Sequence, residues 1–348
     1  MIQAILFLFT VIIMSIAGFW PPSVGKFVPA HWSEQDQGLY FNGHSMAYTE
    51  RFFAAQGEND AITIELTIAP VFQKQPRFGV ILNIYDLESD HQIVIGQWNQ
   101  NLVVLDNDDF SNRERLPKIY AALDQNQQIN RIKLYSDANG TRVYVNNRLQ
   151  GSSRKLKLAL PAHPDSSHLT LGNDVSASQP WKGAIQAVTV YDHSGRSQSG
   201  LPPSLQYRFS PTQGNIITDL STQQIHLILP AKAIILKKKI LQLPRRHDLN
   251  TAWLWQDSLI NFLGFIPFGF LLAGLLSKKS TNQGASLVWI VGSTGFLFSL
   301  GIEMTQIFIP ERTSYLLDLI LNSAGGFSGA IIFLTHHRIR RAHQQSSR

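Results

Sequence analysis

The sequence predicts a mixed fold: an all-β jelly-roll sandwich inserted into an α-helical domain of four transmembrane helices. Apolar runs of about 20 residues stand at the start of the chain and three times near its end, long enough to cross a hydrocarbon core of about 30 Å. Between them, apolar and polar residues alternate with a period of two, the pattern of half-buried strands. Charged residues make up only 16% of the 348, yet the mean hydropathy is −0.04, so apolar segments are averaged against an ordinary polar region.

In chain order, residues 2–20 carry no charge over 19 positions, and no Lys or Arg precedes them. A cleaved signal peptide has a basic start and a shorter apolar stretch, so a retained membrane helix is expected. Over residues 30–235, Ile62, Ile64, Leu66 and Ile68 alternate with polar neighbours. So do Leu82 and Ile84, Ile93 and Ile95, Leu102 and Val104, Ile132 and Leu134, Val143 and Val145, and Leu169 and Leu171. On a strand each set lies on one face, which a second sheet must cover. Asp137-Ala138-Asn139-Gly140 has the Asn-Gly chemistry of a tight hairpin, since both residues tolerate positive φ, and Asn146-Asn147 supplies the next turn. Turn signals at this density predict a sandwich of roughly 12 strands. A basic linker, 236–256, leads to spans at 258–276, 285–304 and 315–334 within a helical block, 257–335, and a basic tail covers 336–348.

Lys and Arg in short connections are retained on the cytoplasmic side. Lys278 and Lys279 separate the second and third spans, and Arg338, Arg340 and Arg341 follow the fourth. Both places are assigned to the cytoplasm, which puts residues of about 21–256 outside a bacterial cytoplasmic membrane. Lys237, Lys238, Lys239, Arg245 and Arg246 then lie outside, which a long loop tolerates because it translocates largely regardless of charge. The net charge of +6 is concentrated at segment ends, so topology accounts for it and nucleic acid is not expected as a partner. With no Cys in the chain, disulfide scaffolds, thiolate metal sites and cysteine nucleophiles are excluded.

A glycosidase needs two carboxyl groups facing each other across the bond, and within the insert Asp86, Glu88 and Asp90 would share one face of a strand. The stretch lacks an apolar frame, however, and reads as a solvated hairpin turn. Asp106, Asp108 and Asp109 offer oxygen ligands to Ca2+, or form a turn with Asn107. Asn139-Gly140-Thr141 matches a glycosylation sequon that its turn role also explains. Trp98 and Trp181 suit a sugar-stacking platform or, equally, a sandwich core or membrane-facing rim.

Polar side chains inside the apolar spans carry more information, because they are costly there. Asp257 and Asn261 are four apart at the start of the second span, as are Asp318 and Asn322 at the start of the fourth. Glu303 and Gln306 end the third, and Arg312 follows in the short loop. Under the topology above, all seven gather in the external third of the membrane as a candidate ligand site. Arg312 would pair with one or two of the three carboxylates, leaving a surplus acid that suits a cationic head group or a divalent ion. Helix capping and interhelical hydrogen bonds are the structural alternative.

Two resemblances follow from particular residues. Phe41-Asn42-Gly43, the hairpin over 132–150, Leu171-Gly172-Asn173, Pro180-Trp181-Lys182-Gly183-Ala184-Ile185 and Val190-Tyr191-Asp192 resemble, in that order, the laminin-G and concanavalin A-like lectin families. Those folds host sugar binders, glycosidases and interaction modules, and Ca2+ is a ligand in some of them. Asp257-Ser258-Leu259-Ile260-Asn261-Phe262, Phe265-Ile266-Pro267-Phe268-Gly269-Phe270, Glu303-Met304-Thr305-Gln306, Pro310-Glu311-Arg312 and Asp318-Leu319-Ile320-Leu321-Asn322 with Gly325 and Gly329 resemble the VanZ-like family. That family implies four transmembrane helices and an association with teicoplanin resistance, without an established biochemical activity. The long sandwich between the first two helices departs from its compact members. Together the resemblances imply a membrane protein that binds or acts on a cell-envelope glycan or glycolipid, with membrane lipid as a partner. The alternatives are an enzyme built on Asp257, Glu303 and Asp318, and a structural or protein-interaction module. No catalytic motif is present.

Overall fold

The computed structural model describes residues 1–19, 27–53, 61–72, 78–110, 112, 114–193, 202–211, 214–238, 240–244, 252–277, 284–309 and 314–346. The chain divides into two compact units, one of Met1–Val24 with Lys238–Arg348 and one of Gly25–Lys237.

The inserted unit is a two-sheet sandwich in which every ladder between named strands is antiparallel. One sheet runs β1 (His31–Ser33), β2 (Gly38–Asn42), β13 (Lys182–Asp192), β4 (Ile62–Pro70), β9 (Asn130–Asp137), β10 (Gly140–Val145) and β11 (Arg148–Ser153). A short strand, β14 (Leu205–Arg208), joins β13 beyond a bulge at Gln186, so β2 and β14 share one edge of β13 while β4 follows the other. The second sheet runs β15 (Ile216–Ile217), β16 (Leu227–Ile228), β3 (Ala47–Thr49), β12 (Ser167–Leu171), β5 (Gly79–Asp86), β6 (Gln92–Trp98), β7 (Asn101–Leu105) and β8 (Ile119–Ala122). The 16 strands among the described residues exceed the 12 or so expected because β1, β3, β15 and β16 are only two or three residues long, too short to show a period.

All the alternating pairs read from the sequence lie between the sheets, each at most 3% exposed. Burying such an aliphatic side chain contributes about 1.5–3 kcal/mol, so these positions set the register of each strand. The hairpin joining β9 to β10 turns through Ala138 and Asn139, with only Gly140 at positive φ (+117°). Asn146 and Asn147 both adopt positive φ (51° and 63°) between β10 and β11, the pairing a type I′ turn requires.

The other unit contains α1 (Ile2–Phe19), α2 (Ala252–Leu276), α3 (Ala285–Gln306) and α4 (Leu316–Ser346), all long and apolar enough to cross a membrane. Gly325 abuts the Phe262 carbonyl and Gly329 the Ile266 carbonyl, so α2 and α4 run parallel with their backbones in contact. Gly295 meets Gly326, and Ser299 meets Asn322, which makes α3 antiparallel to both. Gln3 beside Gly274, Phe7 against Phe268 and Gly18 beside Ile302 place α1 antiparallel to α2. Hence the starts of α2 and α4 and the ends of α1 and α3 share one end of the bundle. Large apolar side chains such as Leu8, Ile12, Leu259, Leu263, Trp289 and Leu297 stay on its outside, as lipid contact requires.

Two helix limits differ from the sequence reading. Nothing between Ala252 and Asp257 breaks a helix, so α2 starts before Asp257, which sits in its second turn rather than capping it. The fourth helix runs on to Ser346 through the basic tail, since no Pro or Gly interrupts it after Gly329 and its cations favour a helix C-terminus.

Candidate functional site

Polar groups collect at the shared end of the helical unit. On α3, the buried face repeats at i, i+3 and i+4 as Gly295, Ser299, Ile302, Glu303 and Gln306. Glu303 is 2% exposed, and its Oε2 accepts the backbone N–H of Tyr315 (3.0 Å), one residue before α4 begins. The carboxylate thus meets the positive end of the α4 dipole. Gln306 Nε2 donates to the Gly18 carbonyl (2.7 Å), an acceptor left open at the end of α1. Asn322 Nδ2 donates to Ser299 Oγ (2.9 Å) across α3 and α4. Asp318, one turn earlier on the same face of α4, is half-buried.

The loop before α4 is braced from outside the bundle. Ser314 is fully buried, and its hydroxyl and carbonyl accept the N–H groups of Leu241 (3.2 Å) and Gln242 (2.8 Å). Gln242 bridges Tyr315 in parallel fashion and accepts the Leu316 N–H (3.1 Å).

Four of the seven residues singled out from the sequence, Glu303, Gln306, Asp318 and Asn322, therefore stand on adjoining faces of α3 and α4. Asp257 is exposed on α2 and Asn261 half-buried, and among the described residues neither bonds to that group. Arg312, with its expected carboxylate pairing, lies outside the described residues. Two serines belong to the site and were missed. Ser299 stands four before Glu303 on the α3 stripe, a spacing legible once a polar face is sought. Ser258 is 6% exposed on α2, and the Gly325–Phe262 and Gly329–Ile266 offset, carried one turn towards the helix starts, puts it level with Leu321 and Asn322. Ser258 Oγ and Asn322 Oδ1 are both buried without a hydrogen-bond partner.

In the sandwich, Trp181 is a core residue, fully buried, its Nε1 donating to Gln97 Oε1 (2.7 Å), so the platform reading fails for it. Trp98 is 38% exposed on the outer face of the second sheet, where a hollow of about 190 Å³ is lined by Phe78, Phe110, Trp98 and Tyr120. Phe78 and Phe110 stack at 5.3 Å, and a buried Lys118–Asp109 ion pair (2.9 Å) closes one side. Asp109 is thereby engaged by a cation rather than open to Ca2+, and among the described residues no group of three or more His, Asp or Glu side chains is placed to hold a metal. Asp86 departs from the solvated turn expected of it. The turn is present, but Asp86 is fully buried and accepts from Ser89 (2.8 Å), Ser166 (3.1 Å) and the Glu88 N–H (3.0 Å), and it is bonded to His163 Nδ1 (2.8 Å).

Comparison with solved structures returns β-domain proteins at low similarity. A Bacteroides ovatus ATCC 8483 protein solved at 1.50 Å is 14% identical over 60% of this chain and 61% of its own, with a TM-score of 0.36. Domains LG4-5 of the mouse laminin α1 chain are 10% identical, covering 49% of this chain and 47% of theirs, with a TM-score of 0.33. Domain 4 of AbnA, an extracellular arabinanase from Geobacillus stearothermophilus solved with arabinotriose, is 15% identical over 48% of this chain and 76% of its own, with a TM-score of 0.34. The chain spans less than two thirds of the first two. No curated protein matches it. The VanZ/LLP1 family model matches residues 204–337, beginning just before β14 rather than at α2 and taking in α2, α3 and most of α4, so the C-terminal part of this membrane protein is similar to that family.

Proposed function

We propose that the chain binds a cell-envelope glycan or glycolipid from a bacterial cytoplasmic membrane, with residues of about 21–256 outside. In this reading the sandwich recognises carbohydrate, and the polar end of the helical unit receives a lipid head group or envelope precursor. The observation that carries it is the pair of buried, unpartnered groups Asn322 Oδ1 and Ser258 Oγ. An interhelical hydrogen bond such as that from Asn322 to Ser299 contributes about 1 kcal/mol, whereas a buried polar atom without a partner costs about 1–3 kcal/mol. The arrangement is therefore unfavourable by itself and suits a hydroxyl-bearing group that donates to Asn322 and accepts from Ser258.

The test uses the full chain in lipid nanodiscs, comparing wild type with Ser258→Ala/Asn322→Leu by native mass spectrometry. A site predicts that a lipid or precursor retained by the wild type is lost from the variant while its melting temperature is kept. Sensitivity to teicoplanin in a strain lacking the chain is the corresponding cellular readout. A second reading, that the cluster only locks helices, draws support from the Glu303–Tyr315 and Gln306–Gly18 bonds. It predicts the reverse result, with unchanged lipid retention and a lowered melting temperature.

A further inference from the structure

We infer that the outer face of the first sheet binds an anionic saccharide, with Arg142 and Lys133 holding a carboxylate or phosphate and Tyr135 and Tyr144 packing on the sugar. This rests on the reading of the sandwich as a carbohydrate binder, to which it adds a ligand class and a place. Because Ile64, Leu134 and Val143 point into the core, their neighbours on β4, β9 and β10 point out. Cross-strand register then sets Thr63, Tyr135 and Arg142 in one row and Glu65, Lys133 and Tyr144 in the next. Of these, Thr63, Tyr135, Arg142, Lys133 and Tyr144 line a hollow of about 420 Å³, floored at one end by His193. Its size falls within the roughly 300–1,000 Å³ of small-molecule sites, whereas the hollow beside Trp98 falls below it.

The floor is held in place. His193 Nε2 shares a hydrogen bond with Thr63 Oγ1 (2.8 Å), and its ring lies nearly parallel to Tyr191 (13°) and tilted against Tyr135, with ring centroids 6.2 Å apart in both cases. The cations remain available for exchange. Lys133 meets Glu65 at 3.1 Å with both side chains well exposed, so solvent screens the pair. Arg142 lies 5.7 Å over the Tyr135 ring and approaches Asp137 only to 3.8 Å. Among the described residues its guanidinium donates no hydrogen bond, which leaves its planar fork open to a bidentate acid group. Flat aromatic faces beside that fork provide the amphipathic surface that a sugar ring requires.

The test titrates the full chain in detergent with a uronic-acid oligosaccharide, a phosphorylated oligosaccharide, the neutral oligosaccharide of equal length, and inorganic phosphate. The expected result is binding of at least one anionic saccharide, at least tenfold tighter than the neutral one and than inorganic phosphate, and weakening with salt. Arg142→Ala and, separately, Lys133→Ala should erase that preference without lowering the melting temperature. Binding that survives both substitutions and is lost in Trp98→Ala would overturn the placement while leaving the carbohydrate reading intact. Inorganic phosphate binding as tightly as the saccharides would overturn the assignment of a sugar. Failure of every saccharide, neutral or anionic, would remove the carbohydrate reading itself.

Discussion

Asp86 ends β5 with four hydrogen-bond donors converging on one buried carboxylate, and this shapes how the sandwich responds to pH. Burial pushes its pKa up, but bonds from His163, Ser89, the Glu88 N–H and Ser166 outweigh burial and hold it well below the usual carboxylate range. The same bond to Asp86 raises the pKa of His163. A lowered carboxylate contributes stability that is present above its unfolded pKa, and that is lost as pH falls through the folded value. A raised histidine contributes stability that is complete below about pH 6.5 and is lost as pH rises through its folded pKa. Both contributions overlap between about pH 4 and 6.5. Asp86→Ala should therefore lower the melting temperature most near pH 5, by the equivalent of about 2 kcal/mol, and less at pH 8. Thermal melts of the two proteins across pH 4–8 check this, and a constant difference would contradict it. From the sequence, Asp86 looked like its neighbours Glu88 and Asp90, because its donors Ser166 and His163 come from about 80 residues away. Trp98 and Trp181 were indistinguishable for a similar reason: one needs Gln97 and the opposite sheet to become core, and neither is near in sequence to what buries or exposes it.

At the scale of elements, the contact between α2 and α4 depends on glycines that meet backbone. A Cβ at Gly325 or Gly329 would overlap the Phe262 or Ile266 carbonyl, and one at Gly269 would overlap the Gly326 carbonyl, none of which can rotate away. By contrast, nothing lies within 4 Å of where a Cβ at Gly264 would stand. Gly329→Val should force the helices apart, at a cost of about 1–3 kcal/mol, while Gly264→Ala leaves the bundle intact. Detergent melts of both variants measure the difference, and equal behaviour would show that the close approach is not required. The spacing of Gly325 and Gly329 already suggested such packing, and the strand periods of β4, β5, β6, β7, β9, β10 and β12 were legible for the same reason: each turns one regular apolar face to the space between the sheets. Ser258 was not legible. Its level along the bundle, matching Leu321 and Asn322, depends on the relative offset of two helices some 60 residues apart in the chain, which no local pattern encodes. The start of α2 was misjudged because Asp257 looked like a cap, although the aromatic and apolar residues before it extend the helix.

For the whole molecule, the functional proposals depend on which side of the membrane the insert occupies. The helical unit itself demands alternation: α1 opposes α2, α3 opposes α2 and α4, and the starts of α2 and α4 lie at one end. The inserted unit follows α1 and precedes α2 in the chain. Direction is then a matter of charge. Arg338, Arg340 and Arg341 lie at the far end of α4, with Lys278 and Lys279 between α2 and α3, and short basic connections of this kind stay in the cytoplasm. A reporter fused after Ser199 should therefore read as external and one fused after Lys279 as cytoplasmic. Reversed readings would put the sandwich in the cytoplasm, away from any envelope glycan. They would leave the tyrosine and arginine face of the first sheet, and the polar end of the helices, to be explained by a cytoplasmic ligand instead.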